Sequence, residues 1–295
     1  MSVMEKIEAP APGPDETVPL GSDAHLRLFC RTLLDTHDPY RPALIDWPPL
    51  DEETRAKIVS LPIWEVAMAT EGRAGMNIRT YGEGVRDPLL RAAIDLNAFE
   101  ESRHKIVLAD MVRAYGIELA PEPAYRRPKD PEFAFLRTGY SECIDSVFGF
   151  GLFRLARESG FFPPALVDTF EPVMHEEGRH ILFFVNWVAW HRRTMKWWRR
   201  PWFEAKVMAV WIALLWERID IARGMGENSR ARESNFTLHG SKELGVEVRF
   251  PELARICVEE NDRRLAPYDA RLIRPRLVPA VLRLAQHITK GPKTT

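Results

Sequence analysis

The chain has 295 residues, of which 45% are hydrophobic and 28% charged, a composition typical of a folded globular protein. Its 41 basic and 42 acidic side chains leave a formal net charge of -1. This charge excludes a globally basic protein that binds nucleic acid through its overall field, although local basic patches stay open. The three cysteines are too few for a disulfide framework, so we expect a reducing, cytoplasmic location.

The predicted elements divide the chain into four parts. Residues 1–22 are rich in proline and lack periodicity, so we expect a disordered leader there. Residues 23–60 are expected to hold peripheral helices, and residues 61–223 a metal-binding bundle with a fifth helix. Residues 224–295 are expected to form a helical C-terminal extension. No alternating pattern closed by tight turns indicates a strand, so the predicted fold class is all-α.

Five longer helices are bounded by start and stop signals such as Asp87-Pro88 and Gly116. Their predicted ranges are 63–81, 88–115, 133–158, 164–194 and 202–223. The fifth contains an apolar run from Val207 to Trp216, about half of the roughly 20 residues needed to cross a bilayer. This run predicts a buried helix or a helix that lies on a membrane surface.

The second and fourth of these helices carry the same pattern, E-E-x-R-H. The two copies span residues 100–104 and 176–180. In each copy the second glutamate and the histidine are three residues apart and share a helix face. These pairs are Glu101 with His104, and Glu177 with His180. The neighbours of Glu177 at helical spacing are apolar, and a buried carboxylate requires a partner or a metal ion. The repeat therefore predicts a metal site.

The first glutamate and the arginine of each copy are also three residues apart. These pairs are Glu100 with Arg103, and Glu176 with Arg179. We favour surface salt bridges for them over groups that support the metal ligands.

A dinuclear site in a four-helix bundle needs one carboxylate from each of the two other helices. The third helix offers Glu142, with Asp145 as a rival ligand or a hydrogen-bond acceptor. The first helix offers Glu71 or Glu65, and the longer apolar stripe around Glu71 favours Glu71.

With this series of residues the chain resembles the ferritin-like di-iron carboxylate superfamily over about residues 60–195. The resemblance implies a ferritin-like four-helix bundle with additional N- and C-terminal helices. It implies six metal ligands, Glu71, Glu101, His104, Glu142, Glu177 and His180. They would hold two Fe ions, or a Mn/Fe pair, with O2 as co-substrate. The implied activity is that of an oxidoreductase of the hydroxylase, oxygenase or desaturase type, acting on a small, apolar organic substrate.

Such a reaction needs two electrons, so the resemblance also implies an electron-donating reductase or ferredoxin. A homodimer stays open. The alternative functions are a ferroxidase or peroxide-reducing protein, and a metal-free, membrane-associated helical binding protein.

The segment from His191 to Trp202 is dense in basic residues and tryptophans. Its simplest interpretation is a helix end whose cations complement the helix dipole and whose rings pack inward. Contact with a membrane surface is the second interpretation, and a nucleic-acid patch is the least favoured.

Overall fold

The computed structural model describes residues 3–61, 63–122, 124–160, 162–224 and 250–288. In these ranges it contains helices and no strands, which confirms the all-α fold class. The helices are α1 (Val3–Glu8), α2 (Asp23–Asp35), α3 (Glu52–Ser60), α4 (Trp64–Gly82), α5 (Pro88–Tyr115), α6 (Pro131–Ser159), α7 (Pro164–Thr169), α8 (Glu171–Thr194), α9 (Arg200–Gly224), α10 (Phe250–Leu265) and α11 (Leu277–Ile288). Residues 225–249 of the expected C-terminal extension lie outside the described residues.

Helices α4, α5, α6 and α8 form a four-helix bundle. A short loop joins α4 to α5, whereas a crossover of residues 116–130 leads from α5 to α6. Tyr81 near the end of α4 stacks on Phe135 near the start of α6, with ring centroids 4.4 Å apart. The end of α4, the starts of α5 and α6 and the end of α8 therefore meet at one end of the bundle, which we call the upper end. The C-terminus of α5 lies at the opposite, lower end.

The ends of α5 follow from local chemistry. At its N-terminus the Asp87 carboxylate accepts hydrogen bonds from the backbone amides of Leu89 and Leu90. At its C-terminus Gly116 has φ +66°, in the left-handed region that closes a helix and that glycine enters without strain. Both signals are readable in the sequence, and the predicted range 88–115 is the observed one.

The predicted helix 164–194 is wrong in one respect, because the structure divides it into α7 and α8 at Phe170. Pro172 causes the break. A proline has no amide hydrogen, so the carbonyl four residues earlier cannot receive its helical hydrogen bond. The second E-E-x-R-H copy lies wholly within α8.

The N-terminal residues are folded onto the bundle. Helix α2 packs against α8 and α5 and buries Phe29 and Leu33 in the main hydrophobic core. Within the leader for which the sequence predicts disorder, α1 is helical. Farther along that leader, the Arg271 guanidinium donates to the backbone carbonyls of Gly13 and Glu16.

Helix α9 packs along α6 and buries one face only. Its buried residues are Phe203, Val207, Val210 and Leu214. The opposite face remains exposed, so the apolar run from Val207 to Trp216 is not wholly buried. None of the helices in the described ranges combines the length and the hydropathy that crossing a bilayer requires.

Candidate metal centre

Carboxylates and imidazoles from three core helices meet in the interior of the bundle. Nδ1 of His104 lies 3.4 Å from Oε2 of Glu71 and 3.3 Å from Oε1 of Glu177. Nδ1 of His180 lies 2.8 Å from Oε1 of Glu101. The two histidine rings lie side by side, with their centroids 5.6 Å apart.

These residues divide into two sets, each of which could hold one metal ion. One set is Glu71, His104 and Glu177, and the other is Glu101, Glu177 and His180. Within each set the ligand atoms lie within 4.8 Å of one another. Glu177 belongs to both sets, so it could serve as a ligand to either ion.

The fourth core helix, α6, contributes Glu142. Its Oε1 is buried and has no hydrogen-bond partner. Burial, together with the charges of Glu101 and Glu177, raises the pKa of Glu142 well above its usual range. The Glu142 carboxyl is therefore close enough to both ligand sets for their charges to affect its pKa.

The unsatisfied atoms of the site point to a cation. Four of the buried polar atoms that make no well-aligned hydrogen bond belong to predicted ligands: Glu101 Oε1, His104 Nδ1, Glu142 Oε1 and His180 Nδ1. Two of these atoms, His180 Nδ1 and Glu101 Oε1, lie 2.8 Å from each other. Buried polar atoms are normally paired, because an unpaired one costs about 1–3 kcal/mol. Two divalent ions would satisfy these atoms and would also neutralise the four carboxylates. The residues present therefore fit a dinuclear metal centre.

The protonation of the cluster supports the same interpretation. Burial, with the charges of Glu101 and Glu177, raises the pKa of Glu71 to about 8, although the adjacent His104 imidazole opposes the shift. Burial lowers the pKa of His104, but the adjacent carboxylates of Glu176, Glu177 and Glu71 outweigh burial and raise that pKa well above the usual value. Without cations Glu71 and Glu142 retain protons at neutral pH, and metal binding would displace those protons.

The first glutamate and the arginine of each motif copy are buried, so the prediction of surface salt bridges is wrong. Glu100 and Glu176 are fully buried, and Arg103 and Arg179 are at most 3% exposed. The reason lies in the N-terminal residues, because α2 and the segment that follows it cover this side of the bundle.

These buried groups connect the two copies of the motif. Oε2 of Glu100 lies 2.7 Å from Nε2 of His180, and Oε1 of Glu100 accepts a hydrogen bond of 2.9 Å from Arg179. In the mirror arrangement, Glu176 lies 2.8 Å from Nε2 of His104 and accepts from Arg103. Each copy thus supplies the carboxylate that orients the histidine of the other copy.

The segment that follows α2, residues 36–40, closes this outer layer. Arg179 donates to Thr36 Oγ1 at 2.8 Å, and Arg103 donates to the Tyr40 carbonyl at 3.0 Å. His37 Nδ1 lies 2.5 Å from Glu100 Oε1. Although His37, Glu100 and Glu176 could by themselves hold a cation, the two arginines already neutralise the two carboxylates. We interpret this cluster as ion pairs.

Comparisons with known proteins concern the fold. No protein-family model matches the chain, and no curated protein matches it. An R2-like ligand-binding oxidase with an aerobically reconstituted Mn/Fe cofactor superposes with a TM-score of 0.51 at 17% identity, over 88% of this chain and 99% of that one. A point mutant of an R2-like ligand-binding oxidase with an Mn/Fe cofactor superposes with a TM-score of 0.50 at 18% identity, over 87% of this chain and 96% of that one. The fold is ferritin-like.

Two carboxylates of the ferritin-like bundle that were alternatives to the proposed ligands make contacts elsewhere. Glu65 is exposed on α4 and accepts a hydrogen bond of 2.8 Å from the Ala120 amide, so it faces away from the cluster that contains Glu71. Asp145 on α6 is bound by Arg218 at 2.7 Å and by the Ser141 hydroxyl at 2.8 Å. Neither Glu65 nor Asp145 lies in the ligand sets.

A groove of about 310 Å³ runs along the outside of the ferritin-like bundle between α4 and α5. Its floor contains Gly72 and Gly75, and its walls include Met76 and Ile106. A side-chain carbon placed on Gly75 would lie 3.5 Å from Cβ of Glu101.

Proposed function

We propose that the protein is an O2-dependent oxidoreductase with a dinuclear non-haem metal centre. Six residues would hold the ions: Glu71, Glu101, His104, Glu142, Glu177 and His180. The observation that carries the proposal is the cluster of ligand atoms from Glu71, Glu101, His104, Glu177 and His180 inside the bundle, together with the buried, unpaired Oε1 of Glu142 on the fourth helix. Carboxylate and imidazole donors suit iron and manganese. We propose two Fe ions, with Mn/Fe as the alternative, and the Mn/Fe cofactor of the R2-like oxidases supports that alternative.

When bound, a reduced metal pair supplies the electrons and the open coordination positions for O2. The protein orients the histidine ligands. Because Nε2 of His180 faces Glu100 and Nε2 of His104 faces Glu176, each imidazole can donate there and keep the Nδ1 lone pair for a metal ion. The core around the site excludes water, since Ile181 and Phe184 beside the second motif copy are buried.

For the reaction we propose hydroxylation, oxygenation or desaturation of a small, apolar organic molecule. The groove beside Glu101 supports this substrate class, because Met76, Ile106 and Ala109 contribute to its lining.

The proposed partners follow from the chemistry. Two electrons must arrive for each O2, so we propose a separate reductase or ferredoxin as donor. The three free, buried cysteines support a reducing, cytoplasmic compartment. We further propose contact with a membrane surface through the segment from His191 to Trp202, and we retain a homodimer as an open possibility.

The test is the metal content of the purified protein, measured by elemental mass spectrometry after expression in iron-supplemented cells. We expect about two ions per chain, as in other bundles with paired E-x-x-H motifs. Glu101→Ala and Glu177→Ala should each lose metal, whereas the exposed control Glu53→Ala should not. Full metal content in both ligand variants would refute the proposal. A wild-type chain that also fails to take up ferrous iron anaerobically would instead favour a metal-free binding protein.

The same metal-loaded protein separates the proposed reaction from its main alternative. O2 consumption that depends on an electron donor and an organic substrate supports the oxygenase. Fast turnover of hydrogen peroxide without an organic co-substrate would support the peroxide-reducing alternative.

A further inference from the structure

Helix α9 carries an apolar face that none of the described residues covers. Its large exposed side chains are Trp202, Met208, Ile212, Leu215 and Trp216, with exposures between 50% and 77%. They recur at helical spacing on the side opposite the buried Phe203 and Val207. Single exposed apolar residues are ordinary, but a stripe of this length on one helix is typical of an interaction surface.

The chain just before α9 extends this surface with aromatic and basic residues. In the 3₁₀ turn Trp197–Arg199, Trp197 is 75% exposed and Trp198 is 52% exposed. The basic residues of the same stretch are all exposed: Arg193, Lys196, Arg199 and Arg200. The rings therefore do not pack inward, contrary to our simplest interpretation of this segment.

The four basic residues have no acidic partner within salt-bridge distance in the part of the chain that the structure describes. The acids of α9 that flank the stripe are already paired. Glu204 is bound by Arg192 at 2.8 Å, and Glu217 by Arg137 at 3.2 Å. The surface is thus apolar along α9 and positively charged at its upper end.

We propose that this surface, which we call the docking face (residues 193–202 and the exposed stripe of α9), binds an anionic lipid bilayer. The helix would lie in the plane of the bilayer, with its apolar stripe below the headgroups and its cations against the lipid phosphates. Tryptophans are the residues that favour this boundary, because the indole is apolar with one N–H donor. The proposal is independent of the metal centre and extends the contact beyond residue 202.

A second copy of the chain matches the docking face less well. In a twofold interface the same surface meets itself, so each set of cations would need carboxylates from the partner's docking face. Glu204 and Glu217 are already bound within the chain. A lipid surface supplies anions for the cations of the docking face and hydrocarbon for its apolar stripe.

The test is co-sedimentation of the full chain with vesicles of phosphatidylcholine, with and without phosphatidylglycerol. We expect binding to the anionic vesicles, weakened by salt because exposed charges are screened. Lys196→Glu/Arg199→Glu should lower the affinity at least about tenfold, since each basic residue near an anionic surface contributes substantially. Trp202→Ser/Met208→Ser should lower the affinity by a similar factor at low and at high salt.

The lower end of the bundle offers matched controls. Arg41→Glu/Arg113→Glu makes the same charge change, and Leu44→Ser removes an apolar side chain that is 75% exposed. These positions lie around the C-terminus of α5, far from the docking face. Both controls should bind vesicles as the wild type does, and all variants should keep the wild-type metal content.

Two results would overturn the proposal. One is a wild-type chain that binds neither kind of vesicle. The other is equal vesicle binding by the docking-face variants and their controls. Self-association in analytical ultracentrifugation that is lost in Trp202→Ser/Met208→Ser, without vesicle binding, would assign the face to a second copy and would also refute the lipid proposal.

Discussion

Glu100 lies 2.7 Å from Nε2 of His180, although the two residues belong to different copies of the repeat and are 80 positions apart. Glu176 has the same relationship to His104, at 2.8 Å. Because these carboxylates hold the far side of each ring, they determine which nitrogen faces the interior. The geometry at the centre therefore depends on residues that need not touch a metal ion.

We expect Glu100→Gln and Glu176→Gln each to weaken metal binding by about 10- to 100-fold, as is usual when a carboxylate behind a ligating histidine is removed. The amide cannot fix the imidazole tautomer as a carboxylate does. Competition with a chelator measures the affinity. Glu158→Gln is the control, because this carboxylate is 55% exposed and pairs only with Arg154 at the surface.

An unchanged affinity in both variants would mean that another group orients the histidines. Each variant also leaves a buried arginine without its carboxylate, so the free energy of unfolding should fall by about 3 kcal/mol or more. Circular dichroism of the folded variants separates a local loss of metal affinity from a general loss of structure.

The two glutamates that compete as ligands on α4 should behave differently. Glu71→Ala should reduce the metal content to about one ion per chain, because Glu71 belongs to only one of the two ligand sets. Glu65→Ala should retain the full content, since Glu65 is bound to the Ala120 amide instead. Elemental analysis of both proteins decides between them, and metal loss in Glu65→Ala alone would reverse the assignment.

Close packing between α6 and α8 can be tested with a pair of glycines on α6. A Cβ on Gly139 would collide with the Phe184 ring, whereas a Cβ on Gly149 would meet no atom within 4 Å. We expect Gly139→Ala to destabilise the protein by about 1–3 kcal/mol through overpacking. Gly149→Ala should be neutral or stabilising by up to about 1 kcal/mol, because alanine favours the helix. Thermal unfolding of both variants provides the measurement.

The upper end of the bundle should lose stability in acid. Hydrogen bonds from His191 and Lys206 lower the pKa of Glu132 to about 2, although burial opposes the shift. A carboxylate with a lowered pKa stabilises the fold above its unfolded pKa, near 4.5, and loses that contribution as the pH falls toward 2. We expect Glu132→Gln to be about 1–2 kcal/mol less stable than wild type at neutral pH, after allowance for solvent screening.

The pH series for this variant is a set of thermal unfolding curves from neutral pH downward. The difference between wild type and Glu132→Gln should narrow as the pH falls below about 5. The exposed pair of Glu53 and Lys57 supplies the control, because Glu53→Gln should change stability little at any pH. A difference that stays constant into acid would show that the charge of Glu132 is not what stabilises this end.

Much of the bundle could be predicted because its signals are local. The Asp87 cap and the left-handed Gly116 define α5 within a few residues of sequence, and helical spacing alone places Glu101 beside His104. The break at Phe170 also had a local signal in Pro172, which the prediction of one continuous helix did not use.

The outer layer of the site could not be predicted in the same way. Spacing shows that Glu100 and Arg103 share a face, but not whether that face is covered. The cover comes from Thr36, His37 and Tyr40, which are more than 60 residues away in sequence. The arginines repeated inside both motif copies were a usable signal, since a conserved position within a repeat has a structural cause in both places.

Glu100 and Glu176 link the two halves of the bundle reciprocally, because each half supplies the carboxylate that orients the histidine of the other half. The α4–α5 hairpin contains His104, whose supporting carboxylate, Glu176, is on α8. The α6–α8 half contains His180, whose supporting carboxylate, Glu100, is on α5. Neither half alone contains the carboxylate that orients its own histidine, so both halves must pack together before either imidazole is oriented. Each carboxylate supports the histidine of one ligand set, so a change at Glu100 acts on the metal position of His180 and a change at Glu176 acts on the metal position of His104.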